Sequence, residues 1–570
     1  MADLSHTTPA TVRQWQEAGL ALAKSLATYL DVCSSLWIRS GQEGVKPQPL
    51  AICIDNTLQS LHTTLENQLS RSRAVLVYTK NMIFSPILRL PQEIISKIFV
   101  EVVYSSSKAI RDGPEWMGTT LATMFSNLHS LQRVCRSWRY VILDQGLLWS
   151  VVPICLDSSK SMKCTKSLAL GIERARGNLH FAAIFNTESN PGFLSPLNWN
   201  ISRFYSVNIQ TKGDNSTALM TAALEKFLVP AHSTTLRELS LCDMISSDCD
   251  TVPSADEQAL NSSHSQSWHS FLELLKQLSV FRAHLTNFPW SQLVFSSQLL
   301  ELRLSRMAIG YDSTLAAFLM NLAAAPCLQV LQIISVSTFP DIIATTSSNT
   351  QMVTLPALRT LNVQNLFFNT LKVVLRTIAP GSHRLILCPS YNAMYIDLPE
   401  LNTDVVSIEE LSMLLKSVPI DTLLVDDQMQ DDVPSPDLHV LLRSMPGLKT
   451  LHVYHWDLGA GEWPDMKRPR SASSESSGSE FPKLENLHLS SVHIHDEEGL
   501  KEVVTSHSIQ RMTLGGDNCR RIGPRTFSPP DYFKVDEEIV CWLRSNVPDF
   551  RLTDPHMDPP EFESMMWRLW

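Results

Sequence analysis

Apolar positions along this chain follow two different periods, and the change from one to the other divides it. In residues 10–40, Leu22, Leu26, Leu30, Cys33 and Trp37 recur at three- and four-residue steps, which predicts one face of an α-helix. Residues 55–80 repeat the pattern with Leu58, Leu61, Leu65 and Leu69. The breaker GQEGVKPQP lies between the two runs. Two amphipathic helices in series predict a helical hairpin or a coiled-coil contact over residues 1–84.

From about residue 200 the period shortens. Short strands of the form L-x-x-L-x-L appear, most of them followed by a turn and an apolar helix. Firm anchors are Leu236, Leu239, Leu241; Leu299, Leu302, Leu304; Leu328, Leu331, Ile333; and Leu358, Leu361, Val363. Further along come Ile420, Leu423, Val425; Leu448, Leu451, Val453; Leu484, Leu487, Leu489; and Ile509, Met512, Leu514. Weaker copies sit at Phe204, Val207, Ile209 and at Val547, Phe550, Leu552. Alternate side chains of a strand point the same way, so the second and third anchors of each copy face one core. The first anchor belongs to the turn entering the strand. Helices at 314–326, 370–380 and 408–419 end at or near Pro326, Pro380 and Pro419, as helix stops do.

One such unit cannot bury its own apolar face, so copies must stack. The pattern resembles leucine-rich repeats, whose period it approaches. It departs from them at the position usually held by Asn or Cys, where Met244, Met307, Val336, Leu366, Gln428, Trp456, Val492 and Asp517 stand. The expectation is therefore an α/β repeat: N-terminal helices and a further helical module, then an irregular leucine-rich repeat solenoid. Two segments interrupt it. DDQMQDDVPSPD (426–437) reads as an acidic loop, and residues 465–480, polar and Ser-rich, read as a disordered insertion. KRPR (467–470) reads first as part of a solvated loop, with a weak nuclear signal as the alternative. The serines beside acidic residues there are candidates for phosphorylation.

Composition narrows the class. With 570 residues the chain exceeds a single ordinary core. Its 44% hydrophobic and 18% charged residues rule out global disorder. A net charge of −10 disfavours general nucleic-acid binding, which needs a basic face. Eleven cysteines form no CxxC pair, so zinc-finger spacing is missing and reduced thiols are expected. No signal peptide is expected from MADLSHTTPATVRQWQEAG. The uncharged stretch Ser313–Pro340 reads as helix, turn and strand rather than as a membrane span. No membrane association is expected.

Residues 86–99 read PILRLPQEIISKIF, and residues 131–149 read LQRVCRSWRYVILDQGLLW. Pro91 suits a helix start. Ile94, Ile98 and Phe99 then give one apolar edge, and Val134, Cys135 and Trp138 a second. Leu148 and Trp149 close a small three-helix unit, too small to cover all of these side chains by itself. The stretch 85–152 resembles the F-box, most closely the F-box-like proteins of mushroom-forming fungi. GIERARGNLHFAAIF (171–185) is similar to the link those proteins carry after the motif. A spacer at 104–130, with a surface loop expected at 104–118 and a helix resuming near Thr119, separates the halves more widely than the compact F-box pattern.

The resemblance implies a partner, the S-phase kinase-associated adaptor, and through it a cullin and a RING subunit. It implies adaptor contacts from Leu90, Pro91, Ile94, Ile98, Phe99, Val134, Cys135, Trp138, Leu148 and Trp149, with some of the second group also serving the motif's own core. The repeats, 153–563, would hold an unknown protein substrate, and Trp567 and Trp570 in 564–570 would cap the last repeat. GxSxG, GxxxxGK, GxGxxG and HExxH are missing from the sequence. The pairs His493/His495 and His452/His455 read as surface histidines rather than metal ligands. The expectation is a subunit of an SCF-type ubiquitin ligase, cytoplasmic or nuclear, with no catalytic residue, metal or cofactor of its own. The alternatives are a protein-binding scaffold outside any ligase and an enzyme with a site in the repeats.

Overall fold

The structure, a computed structural model, describes residues 9–104, 117–155, 171–186, 201–213, 216–228, 235–244, 266–286, 288–341, 352–381, 383–399, 402–426, 437–459, 461–469, 481–518, 521–523, 526–527 and 531–553. Expectations for the C-terminal tryptophans, for most of the acidic loop and for the Ser-rich core of the insertion fall outside them. The chain divides into two compact units, Met1–Ile95 and Ser96–Trp570.

The first unit is helical. Helix α1 runs Ala10–Gln42. It stops where Gly44 takes a left-handed conformation, φ 69°, and the Val45 amide reaches back to the Ser40 carbonyl at 3.0 Å. Lys46 leads into Pro47, which opens α2 (Pro47–Thr57). A wide turn at Leu58–His62 joins it to α3 (Thr63–Phe84). The two amphipathic runs do meet: Tyr29 Oη lies 3.3 Å from His62 Nε2. Only one edge of the α1 stripe is shielded, at Leu26, Tyr29 and Leu36; Leu30 and Trp37 are exposed.

The second unit opens with α4 (Gln92–Tyr104), which begins in the first unit and ends in this one, then α5 (Met117–Val134), α6 (Arg136–Asp144) and a short turn of helix at Gly146–Trp149. Helix α5 begins at Met117, two residues ahead of the expected resumption. Strand β1 (Val151–Cys155) follows directly. It starts a sixteen-stranded sheet whose members mostly stand in chain order and run parallel. They are β2 (Leu179–Asn186), β3 (Phe204–Lys212), β4 (Glu238–Met244), β5 (Val280–His284), β6 (Glu301–Tyr311), β7 (Val330–Phe339), β8 (Thr360–Gln364) and β9 (Arg384–Cys388). A separate hairpin, β10 (Tyr395–Leu398) and β11 (Asn402–Val405), intervenes. The sheet resumes with β12 (Thr422–Asp426), β13 (Thr450–Tyr454), β14 (Asp457–Leu458), β15 (Asn486–Ile494) and β16 (Arg511–Asn518). A small pair, β17 (Arg521–Gly523) and β18 (Thr526–Phe527), stands apart. The short antiparallel β19 (Asp531–Tyr532) and the final parallel β20 (Asp549–Leu552) both join β16.

Every anchor triplet read from the sequence lies at one of these strands, and the register puts like with like. Leu302 stands beside Leu331 and Leu331 beside Leu361, with Leu304, Ile333 and Val363 in the next matching row. These side chains are essentially inaccessible to solvent, each removing about 1.5–3 kcal/mol worth of apolar surface from water. The first anchors, such as Leu299, Leu328 and Leu484, are buried too. Helices Asp312–Asn321, Phe368–Thr377 and Ile408–Lys416 fill the expected places. Ser313–Pro340 is indeed helix, turn and strand. Among the described residues no helix is long and apolar enough to cross a membrane.

Three results depart from the sequence reading. Strands β2, β5 and β9 were not foreseen: β5 carries the pattern as Leu278, Phe281 and Ala283, and β2, in the tract read as a link, uses Leu179, Phe181 and Ala183. The supposed insertion starts late, because Asp465 and Met466 close a helix and Met466 is fully buried. Lys467 pairs with Glu502 at 2.7 Å. His452, read as a surface residue, has no solvent exposure.

The departure from the usual repeat has a structural counterpart. Leu285, Arg306, Ser335, Asn365, His455 and Ser491 share a positive φ of 49–53° at one repeat position, four residues after the second anchor. Gly516 occupies it in β16. The kinked amide donates to the neighbouring strand, as from Asn365 to the Cys388 carbonyl at 2.9 Å and from His455 to the Ser490 carbonyl at 3.2 Å. The next residue turns inward: Met307, Val336, Leu366 and Val492 are buried apolar groups where a regular repeat has asparagine. An apolar contact therefore takes the place of an asparagine ladder there.

Candidate functional site

Pro91 shapes the first part of the candidate site. Its carbonyl accepts from the Ile94 and Ile95 amides at 3.0 and 3.1 Å, so it stands at the entrance of α4. Leu90 and Ile94 are exposed, 38% and 41%, whereas Ile95 is buried at 7%. Helix α4 thus has two apolar stripes at four-residue spacing. Ile95, Phe99 and Val103 are buried; Ile94 and Val102 are bare, with Ile98 half-buried between them.

In the second unit, Phe99 is fully enclosed and packs on Trp138 with ring centroids 4.8 Å apart. Leu121, Met124, Leu128 and Ile142 complete this small core. Helix α6 is capped by Cys135, whose Sγ accepts from the Trp138 amide at 3.5 Å. Trp149 donates its indole N–H to the Ile142 carbonyl at 2.9 Å, and the Arg174 guanidinium covers its ring at 4.8 Å. Gly146 is needed where it stands, because a Cβ there would lie 2.7 Å from the Arg176 amide nitrogen. The Tyr104 hydroxyl donates to the Leu147 carbonyl at 2.9 Å, and burial raises its pKa.

These placements sort the residues chosen from sequence. Leu90, Pro91, Ile94 and Val134 are exposed; Ile98, Cys135 and Trp138 are half-buried. Phe99, Leu148 and Trp149 were expected at the adaptor surface. They are buried in the chain's own packing, since the three-helix unit uses its largest side chains to hold itself together. Sequence reasoning missed Val102, Tyr140 and Leu147, which are bare at 41%, 67% and 57%. Val102 was open to discovery, eight residues after Ile94 on the same helical face. Leu147 was not, because which of Leu147 and Leu148 faces inward depends on the tight helical turn.

The face of the sheet opposite the anchors is closely packed, its side chains mostly buried. Ser240, Arg282, Arg303, Gln332 and Asn362 stand side by side on it, in register across five strands. Arg282 forks onto Glu301 at 2.7 and 3.2 Å. Burial raises the Glu238 carboxyl, with Arg282 opposing and Glu301 adding to the shift. His284 lies 2.8 Å from Ser305 Oγ, and burial, then Arg306 and Arg303, push it down to about 3. Further along the face turns apolar at Ile386, Cys388, Leu424 and Tyr454. Burial, then Asp426, pushes the Cys388 thiol up to about 12, which leaves it a poor nucleophile. His452 then stacks on His488 at 4.1 Å. His493 lies 2.6 Å from Asp517, and among the described residues no three His, Cys, Asp or Glu side chains are grouped to hold a metal.

Comparison with protein families matches the F-box-like family to residues 87–152. That is the segment whose geometry is given above, from the turn before Pro91 to the first strand. The chain therefore carries an F-box-like domain, and F-box domains generally bind adaptors of the S-phase kinase-associated type. A search of curated proteins finds no match to the chain.

Proposed function

We propose that the chain is the substrate-recognition subunit of an SCF-type ubiquitin ligase. The observation that carries this reading is the F-box-like match at 87–152, together with bare apolar groups inside it. Leu90, Pro91 and Ile94 supply adaptor contacts at the start of α4, and Val134 and Leu147 supply others. A well-packed module that leaves such residues exposed has the make-up of a docking surface, since interface cores are rich in apolar side chains. The adaptor brings a cullin, and other subunits transfer ubiquitin. The chain itself positions a protein substrate, uses no cofactor or metal, and works in the cytoplasm or nucleus.

The parallel region is an irregular leucine-rich repeat solenoid of the mushroom-fungus F-box type. The chain-order strands and the buried anchor rows support this. Substrate is held by the loops beside the sheet.

Co-purification of the full chain with the adaptor tests the reading. Wild type is expected to bind, and a Leu90→Ala, Pro91→Ala double mutant to bind about tenfold more weakly or worse, as loss of interface anchors does. Met413→Ala, at an exposed position outside the motif, is expected to bind as wild type does. A folded wild type that ignores the adaptor would leave a free-standing protein-binding scaffold as the better account.

A further inference from the structure

Helix α1 is 33 residues long, and within its own unit only Leu26, Tyr29, Ser35, Leu36 and Ser40 of it are shielded from solvent. Between Val12 and Phe84, twenty-one large hydrophobic side chains are exposed, Trp37 at 79%, Phe84 at 74% and Leu20 at 73% among them. A helical layer with this much bare apolar surface is poorly stable in water, because most helical stability comes from packing the amphipathic face.

We propose that these helices pair with the same helices of a second copy of this chain. The proposal is independent of the adaptor reading. Three observations point to a second copy. First, both helical runs are bare over similar lengths: Leu22, Leu30 and Trp37 on α1, and Leu58, Leu69 and Leu76 on α2–α3. A two-fold pairing of hairpins covers both stripes at once with one self-complementary surface. Second, the area suffices. A stable dimer needs roughly 800 Å² per partner, and the two bare stripes run the length of these helices, enough to approach it. Third, charge favours no other class of partner. Residues 10–84 carry seven Lys or Arg and five Asp or Glu, scattered along the run. That near-balance gives no attraction to nucleic acid, and it lacks the Lys- and Arg-rich polar face of helices that lie on membranes.

Light scattering on the size-fractionated full chain, over a micromolar range, reads the outcome. The expected mass is twice the 64.0 kDa of one chain. A Leu30→Glu, Trp37→Glu, Leu69→Glu variant is expected at the single-chain mass with unchanged far-UV circular dichroism. Should that variant misfold, Leu30→Ala, Trp37→Ala, Leu69→Ala decides the matter, with dimer dissociation strengthened by about tenfold or more. The Leu90→Ala, Pro91→Ala mutant is expected to keep the doubled mass, which separates this result from failure of adaptor binding. A wild type at 64.0 kDa throughout would overturn the proposal, as would a doubled mass that neither stripe variant changes. Sedimentation with phosphatidylcholine–phosphatidylserine vesicles, lost in the stripe variant, would assign the stripes to a membrane surface instead.

Discussion

The N-terminal helices and the parallel sheet are built from equally apolar sequence, yet they treat it in opposite ways. Twenty-three large hydrophobic residues are exposed up to Ile95, against twelve in the far longer remainder, among the described residues. In the sheet even Arg282, Arg303 and His452 are buried. The difference lies in supply of partners. Each strand meets the next copy of its own pattern about 4.8 Å away, so an apolar row is covered by repetition within one chain. Among the described residues, most of helix α1 is bare, apart from the contact around Tyr29 and His62 and the shielding near Leu36 and Ser40. Amphipathic pattern gives the need for a partner, and topology decides whether the chain provides it.

The sharpest way to break this comparison is to truncate one residue in each region. Leu331→Ala in β7 is expected to cost about 2–5 kcal/mol of stability, because the cavity is enclosed on all sides. Leu30→Ala in α1 is expected to change the stability of the second unit by less than about 0.5 kcal/mol. Denaturant unfolding of both variants measures the pair. Equal losses would mean that the second unit depends on Leu30 as much as on its own core.

Acid should act on the sheet next. His284 and His452 are held neutral by burial, with their pKa values below the ordinary 6.5. The unfolded chain takes up protons there before the folded one does. Stability from this source is therefore fully present above the unfolded pKa of about 6.5 and is lost as pH falls toward the folded values, about 3 for His284. Thermal unfolding between neutral pH and pH of about 5 should show a falling midpoint, with a shallower slope in His284→Gln. A slope unchanged by the substitution would remove His284 from the account.

The smallest expected effect lies at the repeated kink. Ser491 holds φ 53°, a region that only glycine enters without steric cost. Ser491→Gly is expected to raise stability by up to about 1 kcal/mol, offset in part by the greater freedom of the unfolded chain. A clear loss would mean that the serine side chain earns its place through its contacts.

The sheet was legible wherever the three anchors were large aliphatics. Strand β4, with Leu236, Leu239 and Leu241, was found; β5, with Phe281 and Ala283 doing the same work, was not, since alanine carries little pattern signal. The kink was invisible, because Leu285, Arg306 and Ser335 share a conformation and no chemistry. In the F-box-like domain, the start at Leu90 and Pro91 was readable from the fixed geometry of proline. The division between Ile94 and Ile95, or between Leu147 and Leu148, was not, because adjacent apolar residues compete for one inward position and only packing chooses. His452 was misjudged for a related reason: a strand's two faces can both be covered, which alternation alone does not reveal.

Among the described residues, the passage from Trp149 to β1 is held by several contacts. Ser150 already accepts the His180 amide at 2.8 Å, Arg174 lies over Trp149, and Gly146 is pressed against Arg176. Helix α6 and the sheet are thus clamped like a ruler to its stop. Each strand then marks one graduation of about 4.8 Å, and β9 stands eight graduations beyond β1. Adding or deleting a repeat would then shift the later strands by whole graduations.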